Sequence, residues 1–333
     1  MKTIKNKIGK MALVAMAIFS LSSCKKTETV SDTKATSASF ITLQKTALNS
    51  LVKTANFNAE TGTVFISPKG VTLTIPANAV KLNGTLVTGS VQLQYAEIFD
   101  AGNMAAANRS TMAILPNGDK ALLNSGGEFE IKVVRNGVLL ELVKPMTLDV
   151  PAPLTDSTVP AMELFDGIVD AKNNIDWQKV DPFNGNGVVE VVDKVNPVTG
   201  TTQLTYSTLV NKFGWTNIDR FYSDPRPKTT MLVSVPEGYN NDNCALYLKY
   251  VGEGSSLARL DTYNPSTKLF SEHYGQIPVG LACHLIFCTE ENGKWKYATK
   301  EITISAGATY TISASELTTA TQADWTGHIT LLR

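Results

Sequence analysis

Histidine is scarce in this chain, three residues in 333, and none of the three sits in a recognisable catalytic motif. His284 falls in an apolar strand pattern, His273 in the polar string SEHYG, and His328 near the carboxyl end, so each reads as structural or solvated. The string nearest to a nucleophile elbow, Gly252-Glu253-Gly254-Ser255-Ser256, lacks its second glycine. A phosphate-cradling or dinucleotide-binding glycine loop is missing as well. Cysteine is sparse too, four residues without a CxxC pair, which argues against zinc. The oxygen-rich loops Asp181 to Gly187 and Asn240 to Asn243 do not follow calcium-loop spacing and read as ordinary turns. The expectation is therefore no cofactor and no metal. Charge of one sign is also lacking: 30 basic residues balance 30 acidic ones. Without a basic stripe, nucleic acid is excluded as a partner. The apolar run Met11 to Leu21 has 11 residues, well short of the roughly 20 needed for a lasting membrane-spanning helix.

That short run is nonetheless informative. Lys2, Lys5, Lys7 and Lys10 precede it and small residues come after it, the layout of a secretory signal peptide over residues 1–23. The string Leu21-Ser22-Ser23-Cys24 resembles the lipobox of bacterial lipoproteins. The resemblance implies a diacylglycerol thioether on Cys24, cleavage before it, and acylation of the new amino terminus. Each buried methylene adds about 0.8 kcal/mol, so one chain is marginal and two or more hold stably. The expected partner is thus the membrane, reached through a lipid anchor. By analogy with lipoprotein sorting, Lys25 and Lys26 in place of Asp favour the outer membrane, facing the periplasm or the cell surface. The rival reading is a plain signal peptide with a chance cysteine. Removing the signal leaves 26 basic against 30 acidic residues, a mildly acidic chain.

Residues 24–39, polar and rich in Ser and Thr, predict a flexible tether. Phe40, Leu43, Ala47, Leu48 and Leu51 recur at helical spacing and predict a short helix within 40–56, packed on the strands C-terminal to it. A membrane-surface helix is the weaker alternative, since only Lys45 and Lys53 mark its polar face. From Thr63 the period becomes two. Val71, Leu73 and Ile75; Val91, Leu93 and Tyr95; Phe129, Ile131 and Val133; and Met146, Leu148 and Val150 each alternate with polar residues. Such strands have one buried and one wet face, as antiparallel sheets require. Asn-Gly pairs at Asn83, Asn117, Asn136, Asn184, Asn186 and Asn292 mark tight hairpins. The fold class is mainly β, with two antiparallel β-sandwich domains, residues 57–153 and 229–333. Between them, 154–228 reads as a β-hairpin connecting region. Its expected hairpins are Met162–Val169 with Ile175–Val180, and Val188–Val192 with Gln203–Leu209.

The strings GVTLTIPANAV, VTGSVQLQYAEIF, LNSGGEFEIKV and KPMTLDVPAP make residues 57–153 similar to the ZU-five domain of ankyrins and netrin-receptor tails. That resemblance implies a β-sandwich with one strand ending in Ile75-Pro76 and a closing strand from Lys144-Pro145 to Pro151. Self-cleavage, known in some relatives, needs His-Phe-Ser, and no histidine here precedes Phe-Ser. The last hundred residues suggest an immunoglobulin-like sandwich, and the string Ile277 to Gly280 resembles carboxypeptidase-regulatory-like modules. Taken whole, the chain resembles uncharacterised Bacteroidota-type outer-membrane lipoproteins, which implies architecture and location only.

The most unusual stretch is Phe213 to Thr229. Trp215, Asp219, Arg220 and Tyr222 form a candidate binding set, with rings to receive a sugar or peptide and charges to orient it. The competing reading, which is preferred, puts the same rings in an interdomain core. Tyr239, Trp295 and Tyr297 are further candidates for exposed aromatics. Among acids, Glu97, Asp100, Glu128 and Glu130 lie near the first sandwich, and Glu128 and Glu130 share a strand face read as solvated. Cys283 and Cys288, five apart on one strand, face opposite sides and do not pair easily. Cys244 has the reach for either, but buried thiols are the favoured state. These observations point to a non-enzymatic binding or structural module of the envelope, with an envelope protein or a glycan as partner. The alternatives are a glycan- or nutrient-capture component and a hydrolase built on scattered carboxylates.

Overall fold

A computed structural model describes residues 34–155, 158–182 and 187–333, with only the backbone of His273. The signal segment, Cys24 and the tether up to Thr33 lie outside the described residues, as do Asn184 and Asn186. The chain is mainly β, in several antiparallel sheets of the sandwich class. Among the described residues there are five sheets: four succeed one another, separated by three apolar layers, and a small fifth one pairs Glu141–Leu142, Val80–Leu82 and Thr85–Leu86.

Sheet I runs in the order Val189–Val195, Thr202–Val210, Met146–Pro151, Thr72–Ile75, Thr63–Ile66. Sheet II includes Lys53–Asn58, Ser90–Ile98, Lys120–Arg135, Gly214–Phe221, Glu163–Val169, Ile175–Lys179 and Met112–Ile114. The layer between them holds the residues picked out by their period of two: Val71, Leu73, Val91, Leu93, Phe129, Ile131, Met146 and Leu148 are all at most 3% exposed. The expected Asn-Gly hairpins form at Asn83, Asn136 and Asn292, each with positive φ at both the Asn and the Gly. Their two-residue loops join directly paired strand ends, as at Arg135 and Val138. At Asn117, by contrast, only Gly118 has positive φ, and a five-residue loop joins Ile114 to Lys120.

Residues 154–228 are not a connector beside the first sandwich. Both expected hairpins are present, but one extends sheet I and the other enters sheet II. Gly214–Phe221 lies between Lys120–Arg135 and Glu163–Val169. Pairings across such sequence distances leave no mark in local periodicity. Sheet II also curls on itself. Met112–Ile114 pairs with the start of Lys120–Arg135 and bridges in parallel to Ile175–Lys179 through Ala113 and Trp177, closing a five-strand ring.

Sheet III is ordered Ala258–Arg259, Cys244–Tyr250, Ala282–Glu291, Lys294–Thr303, Thr318–Ala320. Every residue of Cys244–Tyr250 is buried, because apolar layers cover both faces of that strand. Cys288 points into the layer shared with sheet II and Cys283 into the layer shared with sheet IV, so the pair do face apart. All three described cysteines are free, buried thiols. Sheet IV contains Thr262–Asn264, Leu269–Pro278, Lys228–Ser234 and Thr309–Thr311, the last two paired in parallel.

Three helices fill the layer between sheets II and III. The first, α1, spans Ser37–Leu51, earlier than its predicted start at residue 40. Its capping box explains the difference: the Thr36 hydroxyl accepts from the Ser39 amide at 3.0 Å, and the Ser39 hydroxyl accepts from the Thr36 amide at 3.1 Å. The end of the supposed tether is therefore ordered, with Ala35 buried. The apolar side of α1 (Phe40, Ala47, Leu48) is buried against the protein, which overturns the membrane-surface alternative. The second helix, α2, is Ala101–Ala107, and the third, α3, is Gln322–Leu331. Neither is legible from apolar spacing: α2 is a run of small residues, and α3 anchors on Trp325 and Ile329 alone. At their crossing, a Cβ on Gly102 would lie 2.1 Å from the Thr326 carbonyl oxygen, so only glycine fits. Residues Lys34–Arg333 form one compact unit. Among the described residues no helix is long and apolar enough to cross a membrane.

Candidate functional site

The four candidate residues on Gly214–Phe221 and just beyond it do not gather into a binding surface. Trp215 is 5% exposed and meets Trp177 edge-to-face at 6.4 Å. The Arg109 guanidinium sits 4.7 Å over its ring. Asp219 is fully buried in the same layer. Arg220 is half-buried and paired in register with Asn124. Tyr222 turns away to pack on Tyr250 at 5.2 Å and donates to Asp224 at 3.0 Å. The rings close the interior, as the preferred sequence reading expected. Trp295 is fully buried as well, stacked on Trp325 at 4.1 Å and met by Phe40. It is therefore not the exposed strand aromatic the sequence allowed, because α1 and α3 cover that face of sheet III. Tyr239 is buried against Phe287, and Tyr297 is half-buried near His328.

The acids need a larger correction. Glu128 does not share a solvated face with Glu130: its side chain is 0% exposed, because α1, α2 and sheet III cover that side of sheet II. Neither of its carboxyl oxygens has a hydrogen-bond partner. Burial, then the nearby Asp219 charge, pushes its pKa well above the carboxylate range, against the pull of Arg109. Asp219, raised mainly by burial, accepts from the Asn217 amide at 2.5 Å. Two carboxyls of raised pKa can store protons, but neither meets solvent, so no dissolved substrate reaches them here.

Around them a polar seam ties sheet II to sheet III. Asn108 ends α2 in a left-handed conformation that Asn tolerates. Its side chain accepts from the Tyr247 hydroxyl at 2.7 Å and donates to the Asn173 carbonyl at 2.9 Å. Arg109 donates to the same carbonyl at 3.0 Å. Thr111 and Leu257 exchange hydrogen bonds at 2.9 Å, and Lys120 bridges Asp176 at 2.8 Å and Asp261 at 2.7 Å. Sequence spacing gave no signal for this seam, whose members lie as much as 146 residues apart. Among the described residues, no group of His, Cys, Asp and Glu is arranged to hold a metal. The side chains of the Asn240 to Asn243 loop are spent on backbone: Asn243 accepts from the Asn240 amide at 2.9 Å and donates to the carbonyls of Ala35 at 3.1 Å and Gly238 at 3.0 Å. His284 contacts the Arg333 carbonyl at 2.9 Å and His328 the Thr299 hydroxyl at 3.0 Å.

The chain matches no family model and no curated sequence.

A cavity of about 290 Å³ lies between the end of α1, the turn after Thr63–Ile66, strand Ser90–Ile98 and the start of α2. Lys53 and Lys69 are exposed at its rim. Tyr95, buried beneath it, donates to Glu97 at 2.8 Å. Burial and the Glu97 charge hold the Tyr95 phenol well above its ordinary pKa. Two ammonium groups, a carboxylate and an apolar wall at Leu51 and Pro68 give this pocket polar recognition without an evident nucleophile.

Proposed function

We propose that this protein is a lipid-anchored envelope lipoprotein, most plainly of the outer membrane, whose compact β unit acts as a non-catalytic binding or structural module. The observation that carries the reading is the sequence Leu21-Ser22-Ser23-Cys24 behind a cationic start and a short apolar run. The stacked sheets add support, because the residues most suggestive of chemistry, Trp215, Asp219 and Glu128, are spent on interior packing. The ZU-five-like assignment of residues 57–153 belongs to the same proposal. In its favour, the Ile-Pro strand Thr72–Ile75 and the closing strand Met146–Pro151 are neighbours in sheet I. Lys144 of the Lys-Pro motif also donates to the Ala77 carbonyl, just after Ile75-Pro76, at 2.7 Å.

A second reading, capture of a small polar nutrient or glycan fragment, is favoured by the cavity lined by Lys53, Lys69, Tyr95 and Glu97. The test of the anchor is a mass spectrum of the mature amino-terminal peptide together with fractionation of Cys24→Ser. An acylated Cys24 and loss of the substituted protein from the membrane pellet are expected. A wild-type peptide of unmodified mass, in protein that washes off membranes, would refute the reading.

A further inference from the structure

Strand Val189–Val195 forms one edge of sheet I, and among the described residues no strand pairs with its outer side. It is long for a free edge, contains neither proline nor glycine, and exposes Val191 at 42% and Val195 at 63%. Natural edges are normally blunted by brevity, proline, bulges or unmatched charge. Of this strand's three charges, Glu190 and Lys194 stand in an order that attracts a second copy, while the exposed Asp193 falls opposite Val191. Laid antiparallel about Val192, two such strands place Glu190 opposite Lys194 of the second copy, and Val189 opposite Val195 of the second copy. Symmetry makes each contact twice. A parallel alignment in register would instead set Glu190 against Glu190 and Lys194 against Lys194, so the charges select direction as well as register.

Glu190 and Lys194 lie on the same face of the strand, and Glu190 is exposed. Lys194 is held in place by Asp149 at 2.6 Å, while Ser207 donates to the same carboxylate at 2.7 Å. That bond draws its ammonium inward from the edge, over the second strand and within 3.4 Å of the Ser207 hydroxyl, so joining Glu190 of the second copy means exchanging Asp149 for it. The opposite edge of sheet I, Thr63–Ile66, is only four residues long and carries no charge to fix a register.

We propose that Val189–Val195 is a homodimerisation edge: two copies join their sheets I antiparallel through this strand, with the dyad at Val192. The proposal does not depend on the lipid anchor. The test uses the mature chain with Cys24→Ser, studied by sedimentation equilibrium, and a Val192→Cys substitution in the same chain. The other cysteines, Cys244, Cys283 and Cys288, are buried and do not compete for cross-linking. The unsubstituted chain is expected to be a dimer at tens of micromolar. Glu190→Lys, at an exposed position, sets like charges opposite and is expected to weaken the dimer at least tenfold while leaving the far-UV circular dichroism of the folded chain unchanged. Cysteine at 192 is expected to cross-link under mild oxidation, whereas Val188→Cys, placed about 26 Å from its counterpart across the dyad, is not. A chain that stays monomeric to ~200 µM without cross-linking at 192 overturns the proposal. So does a dimer that ignores Glu190→Lys or cross-links equally at 188 and 192. Should Glu190→Lys fail to fold, the two cysteine variants decide alone.

Discussion

Glu128 shows how far a single residue's setting can depart from its pattern. Its alternation with Phe129 and Ile131 placed it correctly on the opposite face of the strand, yet nothing local says what lies against that face. Unfolded, its carboxyl ionises near pH 4.3; folded, burial holds the proton to much higher pH. The native state therefore binds more protons than the unfolded one above about pH 4.3, and stability falls as pH rises through that window. Glu272, pushed up to about 7 chiefly by burial, acts in the same direction between its ordinary range and neutrality. Glu128→Gln keeps the shape and removes the titration. It is expected to raise the urea midpoint clearly at pH 7 and much less at pH 4, where the unfolded carboxyl is largely protonated as well. Equal midpoints for the two proteins at both pH values would show that Glu128 is ionised and solvated in the fold.

Among the elements, the helices are where sequence legibility is most uneven. The first, α1, announces itself through Phe40, Leu43, Ala47 and Leu48, because one of its faces is buried over several turns. By contrast, α2 and α3 pack through small residues and one tryptophan, which periodicity does not register. Their crossing gives a paired prediction. Gly102→Ala drives a methyl into the Thr326 backbone and is expected to cost about 1–3 kcal/mol in denaturant unfolding. Gly327→Ala, also in a helix but facing open space, is expected to gain up to ~1 kcal/mol. Loss of stability in both would mean that α3 does not seat where its contacts place it. The strands split the same way. Those of the first sandwich were readable because their outer neighbours are polar. Cys244–Tyr250, buried on both faces, shows no alternation, only an apolar run broken at Lys249.

At the level of the whole molecule, the two expected sandwiches share an interior. The layer holding Trp177, Trp215, Trp295 and Trp325 draws residues from sheet II, sheet III and all three helices. Neither half can leave without exposing it. Lys34–Arg333 is accordingly expected to unfold in one cooperative transition, with tryptophan fluorescence and far-UV circular dichroism coincident. Trp325→Ala, which empties the centre of that layer, should lower this common midpoint by roughly 3–5 kcal/mol of stability. Two separated transitions, only one of them moved by the substitution, would count against a shared core.

By itself the sequence determined the β class, the faces of the first sandwich, the Asn-Gly hairpins and the opposed placement of Cys283 and Cys288. Each arises from backbone geometry acting over a few residues: a period of two, a positive φ, a fixed rise per residue. Only the tertiary structure decided that residues 158–221 interleave with the first sandwich and that sheets II and III face one another. It also decided that the aromatic stretch around Trp215 and the acid Glu128 end in the seam between those sheets. Those outcomes depend on which surfaces meet across a hundred residues or more, and burial of that kind is set by partners a local pattern does not contain.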